Sequence, residues 1–184
     1  MEFKKVLSSL IKHFDERNIR YGLIGGFALV VFGIPRTTID LDFLVDRDDL
    51  AKLDKIMAMS GYRLAFRTEN VSQYVGLPPG TGEIDFVHAF RKYSKKMLVR
   101  VQIRKLGDLS IRVLRPENIV GLKVQAIAND PTRKNRELAD IESILDKFGN
   151  EMDWSWLEEY FELFDLLEDF RALRKRYGKI DRRR

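Results

Sequence analysis

Residues 21–45 read YGLIGGFALVVFGIPRTTIDLDFLV, and the step from Gly25-Gly26 to Asp40-Leu41-Asp42 limits the possible folds more than any other feature. An apolar stretch, Tyr21–Gly25, reads as a short buried strand that runs into the two glycines. Phe27–Phe32 is too apolar for a surface helix and reads as a buried one, ended by Gly33-Ile34-Pro35. Arg36-Thr37-Thr38 forms a loop, and Ile39–Val45 reads as a second strand. Side chains two apart on a strand share a face, so Asp40 and Asp42 project together while Leu41 and Phe43 turn to the core. Glycines without a Cβ let backbone come close to an anion. A helix that starts there points its first N–H groups and its positive dipole end the same way. Two adjacent carboxylates suit Mg²⁺, which takes few protein ligands and completes its octahedron with water and phosphate oxygens. Taken singly these pieces are ordinary, since turns use Gly-Gly constantly and exposed strand carboxylates are common. Their conjunction within the 18 residues from Gly25 to Asp42 carries the reading.

A third acid fits the same geometry. Glu83-Ile84-Asp85-Phe86-Val87 reads as a strand with Glu83, Asp85 and Val87 on one face. If it lies beside the Asp40/Asp42 strand, Asp85 completes a group of three carboxylates. Such anions repel one another unless a cation sits between them. Glu83 is the alternative third acid, one pair further along, and a plain surface role for Asp85 is the bland one.

Apolar spacing at Phe3, Val6, Leu7, Leu10, Ile11 and Phe14 predicts an amphipathic helix over 2–18. Asp48 or Asp49 can cap a helix to about Ser60, stopped by Gly61. Tyr62–Phe66 reads as a strand, and Gly76 to Gly82 as a turn-rich, mobile loop. Residues 91–107 fit two readings: Val99, Val101 and Ile103 alternate as a strand, whereas Met97, Val101 and Leu106 are spaced as a helix. Leu109–Leu114 reads as a strand, followed by helices over 116–129, opened by Pro116, and 133–148. Trp154–Tyr177 reads as one further helix with a stripe of Leu157, Tyr160, Phe161, Phe164, Leu167, Phe170 and Leu173. Mixed strand and helix give way to helix alone after about residue 114. The expected architecture is therefore α+β: a mixed sheet flanked by helices over 1–115, with a helical region, 116–184, packed on it.

The absence of cysteine excludes disulfides, thiolate nucleophiles and cysteine-based zinc sites. Only His13 and His88 are present, which argues against a histidine metal site or triad. A net charge of +5 is compatible with an anionic partner, though basic residues also serve solubility. No apolar run approaches the roughly 20 residues that span a bilayer, and the start of the chain lacks the apolar core of a signal peptide. No membrane partner is expected, and a cytoplasmic location is. The last residues, from Arg171 on, hold eight Lys or Arg against one Asp. Such a run could meet RNA but more commonly makes a solvated terminus.

The order Gly-Gly, helix, Arg-x-Thr-x-Asp-x-Asp, then Ile-Asp-Phe resembles the nucleotidyltransferase superfamily related to DNA polymerase β. Within it the chain is most similar to small nucleotidyltransferases of the AbiEii type, over most of its length. The resemblance implies that Asp40, Asp42 and Asp85 are catalytic and hold divalent metal, Mg²⁺ with Mn²⁺ as the alternative. It implies that Gly25 and Gly26 cradle the phosphates of an NTP; Arg36 and Thr38, just before the acidic strand, offer a fork of donors that suits a triphosphate, with a turn-forming Thr as the ordinary alternative. AbiEii-like relatives add a downstream Lys and a basic-x-x-x-Asp pattern, matched here by Lys123, Arg136 and Asp140 as nucleotide-binding residues. The residues themselves leave simpler options. Lys123 lies among Val120, Leu122 and Val124, so it either snorkels or aims at a buried anion. Arg136 and Asp140 are spaced as an i,i+4 pair. The reaction implied is NMP transfer from an NTP to a hydroxyl on RNA, protein or a small molecule, in the setting of a toxin–antitoxin enzyme among others. The alternative is a non-catalytic nucleotide- or RNA-binding regulatory protein on the same fold.

Overall fold

The computed structural model describes residues 3–77 and 81–178. The mobile loop expected at 76–82 lies partly outside the described residues, and the end of the basic run, 179–184, wholly so. Chain contacts divide the protein into two units, Met1–Leu114 and Arg115–Arg184.

The first unit contains α1 (Phe3–Glu16), β1 (Tyr21–Ile24), α2 (Gly25–Val31), β2 (Leu41–Asp46), α3 (Leu50–Met59), β3 (Tyr62–Arg67), β4 (Val71–Gly76), β5 (Glu83–Ala89), α4 (Lys92–Val99), β6 (Gln102–Leu106) and β7 (Leu109–Val113). Its strands form one seven-stranded sheet in the order β3-β4-β5-β2-β1-β7-β6. β2 runs antiparallel to β1 and parallel to β5, so the sheet is mixed as expected. α1 buries Leu7, Leu10, Ile11 and Phe14 along one side, which explains its strong amphipathic spacing. Phe14 meets Tyr21, Phe43 and Phe86 with ring centroids 4.9, 5.6 and 6.3 Å away, and Phe43 stacks on Phe86 at 5.5 Å. Phe43 and Phe86 thus fill the face of β2 and β5 opposite Asp42 and Asp85. Truncating either ring to alanine costs about 3–5 kcal/mol.

At several points the structure corrects or completes the sequence reading. β2 begins at Leu41, so Asp40 lies in the bend before the strand rather than on it. A strand that sequence reading passed over, β4, pairs with β3 and with β5. Its Ser and Gln interrupt the β-branched pattern, yet Ser72, Tyr74 and Gly76 are buried. The helix after β2 is opened by a 3₁₀ turn, Arg47–Asp49, whose cap is Asp46 accepting from the Asp48 N–H at 3.0 Å. Asp49 is turned to Arg20 instead. The ambiguous stretch 91–107 is both things in succession, helix α4 and then edge strand β6.

The second unit contains α5 (Pro116–Asn129), α6 (Lys134–Phe148), α7 (Trp154–Leu163) and α8 (Leu167–Tyr177). The single helix expected over 154–177 is two. Asp165 takes a left-handed conformation, φ 56°, and the Leu166 N–H closes on the Phe161 carbonyl at 2.8 Å. Aspartate tolerates that conformation better than most residues. α5 and α7 approach closely at Gly121, where a Cβ would stand 2.9 Å from the Tyr160 ring. The Tyr160 hydroxyl donates to Asn118 Oδ1 at 2.9 Å. No helix among the described residues is long and apolar enough to cross a membrane.

Candidate functional site

β1 ends at Ile24, and Gly25 turns the chain sharply into α2 with φ +67°, a conformation that L side chains resist. A Cβ at Gly25 would stand 2.0 Å from Asp42 Oδ2. Glycine is therefore required twice, by the backbone and by the carboxylate that rests against it. A Cβ at Gly26 would fall 2.9 Å from both Cβ and Oγ1 of Thr38, with Arg36 Cγ at 3.6 Å. The loop after α2 thus folds back so that Arg36 and Thr38 lie over the glycine pair. The Thr38 hydroxyl donates to the Asp40 carbonyl at 3.3 Å and fixes the bend that leads into β2.

Register brings the third acid in. Asp42 of β2 is directly opposite Asp85 of β5, and Gln73 of β4 is directly opposite Asp85 on its other side. Directly opposed residues share a face, with neighbouring strands about 4.8 Å apart. Asp85 is half-buried, and its Oδ1 is buried with no hydrogen-bond partner. Burial pushes the Asp85 carboxyl above the usual aspartate range; a hydrogen bond with Gln73 pulls it down, while the Asp40 and Glu83 charges push it further up. Asp40 is thus close enough to act on Asp85 by charge, although it sits outside the strand.

The structure brings together Gly25, Gly26, Arg36, Thr38, Asp42 and Asp85, with Asp40 at the margin. Among the described residues no three acidic or histidine side chains form a ready-made metal cage. The residues present nonetheless fit Mg²⁺ bound with a nucleotide. That ion uses one or two carboxylates plus phosphate oxygens rather than an all-protein cage. An orphaned buried carboxylate oxygen opposite a second aspartate is the donor set such an ion meets. Gln73 belongs to this face and was not foreseen, because the strand carrying it was not recognised.

The downstream residues form a separate cluster in the second unit. Lys123 on α5 donates to Glu137 Oε2 at 2.9 Å and Asp140 Oδ2 at 2.6 Å, both on α6. Lys123, Glu137 and Asp140 are 8, 2 and 5% exposed, so the lysine aims at buried anions and does not snorkel. Arg133 adds hydrogen bonds to Glu137 Oε1 from Nη2 at 2.6 Å and Nε at 3.1 Å. Burial pushes the Glu137 carboxyl up, but Lys123 and Arg133 outweigh it and hold it below the usual range. Arg136 lies 3.8 Å from Glu137 with a side chain 66% exposed. Lys123 is thus a close partner of Asp140. Sequence reading missed Glu137, whose burial only the pairing of α5 with α6 reveals.

The family described as uncharacterised nucleotidyltransferase matches residues 2–175. The chain belongs to that family. No curated protein matches this nucleotidyltransferase. Among solved structures, the antibiotic-resistance factor ANT(2'')-Ia is similar at 17% identity, with 96% of this chain and 98% of that one covered and a TM-score of 0.66. An antigenic nucleotidyltransferase-like protein from Paracoccidioides brasiliensis is similar at 19% identity, covering 95 and 92%, with a TM-score of 0.58. The lincosamide antibiotic adenylyltransferase LnuA is similar at 13% identity, covering 78 and 96%, with a TM-score of 0.56. At these identities the likeness is one of fold, and it agrees with the mixed sheet and flanking helices seen here.

Proposed function

We propose that this nucleotidyltransferase moves an NMP from an NTP to a hydroxyl, using divalent metal held by Asp42 and Asp85 with Asp40 beside them. The observation that carries the reading is the register of Asp42 against Asp85, with Gly25 beneath the Asp42 carboxylate. Bound Mg²⁺ or Mn²⁺ supplies charge neutralisation on the phosphates and on the developing alkoxide. Phosphoryl-type transfer otherwise asks the protein mainly to position groups. Gly25 and Gly26 give the β- and γ-phosphates close access to backbone, and Arg36 and Thr38 donate to their oxygens. The acceptor oxygen attacks the α-phosphorus, the bond to the bridging oxygen of the β-phosphate breaks, and pyrophosphate leaves. Asp85 Oδ1, buried and held above the usual aspartate range, accepts the hydroxyl proton. Within the second unit, Lys123 and Asp140 brace α5 against α6.

The acceptor is sought among small molecules, RNA and proteins. The similar solved structures include ANT(2'')-Ia with adenylyl-2''-tobramycin and LnuA with lincomycin, so hydroxyl-bearing antibiotics form the first group. Incubation with Mg²⁺ or Mn²⁺, each α-labelled NTP and the three acceptor pools should release pyrophosphate and label one pool. Asp42→Asn should abolish the label. A folded protein that neither binds nor consumes any NTP contradicts the proposal. A toxin-type setting, in line with the AbiEii resemblance, predicts growth arrest on expression of the wild type but not of Asp42→Asn.

A further inference from the structure

Gln73 of β4 lies beside the two acids of the neighbouring strand β5. It is opposite Asp85 in register, and Val75, two residues on, is opposite Glu83. Gln73 therefore shares a sheet face with both carboxylates of β5. Its Nε2 donates to Glu83 Oε2 at 3.0 Å, and the amide stands directly opposite Asp85 in register, near enough to favour that carboxylate's charged form. Ionised carboxylates only accept, so the two N–H groups of the amide are what they can use. A neutral donor holds two anions in place without cancelling their charge. A lysine or arginine at this position would hold them equally well but would take the place of the cation that they attract.

We propose that Gln73 is a positioning residue, which orients the Asp85 carboxylate toward Asp42 and keeps Glu83 turned away from the metal. The inference rests on the reading that Asp42 and Asp85 hold a divalent cation. Groups that orient a metal ligand through a hydrogen bond typically contribute 10–100-fold to metal affinity. Gln73 supplies that orientation from β4, so the centre draws on three adjacent strands.

The test is Mn²⁺ binding to the full chain without nucleotide, read by electron paramagnetic resonance of the unbound ion. Gln73→Leu, which keeps bulk and loses the donors, should weaken Mn²⁺ binding by about tenfold or more. Gln73→Lys should weaken it at least as much, because it fills the site with a fixed charge. Glu83→Ala should leave affinity within about threefold, since Glu83 is held aside and is not a ligand. Thermal midpoints without metal confirm folding, and Gln73→Met replaces the leucine variant if that one does not fold. A folded leucine or methionine variant with wild-type affinity overturns the proposal. Failure of both variants to fold also overturns it, because Gln73 is then structural. Asp42→Asn separates the two levels: if it lowers affinity while Gln73→Leu does not, the metal reading stands and the Gln73 role falls. If wild type binds no Mn²⁺, both fall.

Discussion

The two ends of β2 carry aspartates on the same face, Asp42 and Asp46, and the acids near them, Asp85 and Asp49, have opposite surroundings. Asp46 is 2% exposed and has cations on two sides, Arg20 Nη1 at 2.7 Å and Lys95 Nζ at 3.4 Å. Its neighbour Asp49 is 3% exposed and accepts from the Arg20 backbone N–H and Nε, both at 3.1 Å, and from Lys52 at 3.0 Å. Burial pushes the Asp49 carboxyl up, but hydrogen bonds from Lys52 and Arg20 hold it below the usual range. At the other end Asp85, opposite Asp42, answers to burial, to a neutral amide and to two further carboxylates, and no cation is among these influences. Its Oδ1 has no partner at all. On one side Asp46 and Asp49 meet cations within the fold; on the other, no cation is among the groups that act on Asp85. A desolvated acid with no cation beside it, as at Asp85, is the kind of perturbed group from which a functional site is inferred.

The comparison can be broken at either end, and the largest effect is expected at Asp42. Asp42→Asn keeps the shape and removes the charge. Losing several kcal/mol of metal-borne stabilisation corresponds to a fall in transfer rate of about 10³-fold or more. The same change at Asp49 should leave the rate of folded protein within about threefold, because that carboxylate serves stability. Steady-state pyrophosphate release on both variants decides it.

Gly25→Ala comes next. Its Cβ would meet the Asp42 carboxylate at 2.0 Å and strain a backbone at φ +67°. Activity should drop by about 100-fold through misplacement of the acid, and the protein should lose about 1–3 kcal/mol on denaturant unfolding. A variant as active as wild type would separate the glycine corner from the chemistry.

Arg20→Ala tests the paired end alone. It leaves Asp46 and Asp49 buried with one cation fewer, and should cost about 2–3 kcal/mol of stability with little change in the rate of the folded fraction. The smallest effect has the opposite sign. Asp85 is held above its ordinary value of 3.8 when folded. Its contribution to stability is therefore most favourable at acid pH and declines as pH rises from that value through the folded one. Without metal at pH 7, Asp85→Asn should raise the thermal midpoint by about 2 °C, and the gain should vanish at acid pH. Asp49, held low, behaves in reverse: its contribution is present at neutral pH and is lost as pH falls through the carboxylate range. Midpoints measured from pH 3 to 8 for the two Asn variants should diverge with rising pH, and parallel curves would erase the distinction between the ends.

Much of this contrast is written in local sequence, and part of it is not. The alternation of Leu41 and Phe43 with Asp42 announces a strand with one acidic face, and Ile84 and Phe86 do the same for Asp85. The buried strand, the apolar helix behind the glycines and the start of α5 at Pro116 follow from hydrophobic runs and turn residues. Asp40 looked like a strand residue because spacing alone cannot show where pairing begins; the Thr38 bond to its carbonyl puts it in a bend. Gln73 was invisible because VSQYVG has few β-branched residues, and its strand exists by pairing on both edges. The break at Asp165 was hidden by an apolar stripe that continues from α7 into α8. The partners of Lys123 lie 14 and 17 residues away, beyond any local pattern.

The central claim is that the Asp42 end awaits a metal-bound nucleotide and the Asp46 end does not. The most direct measurement is the thermal midpoint of wild type, Asp42→Asn and Asp49→Asn, each with and without Mg²⁺ plus a non-hydrolysable NTP. Ligand at about 100 times its Kd adds roughly 2.7 kcal/mol, a rise of several degrees for a chain of this size. The account predicts that rise in wild type and in Asp49→Asn, whatever the lower starting midpoint of the latter, and its loss in Asp42→Asn. An equal rise in Asp42→Asn, or a rise that disappears only in Asp49→Asn, would contradict it.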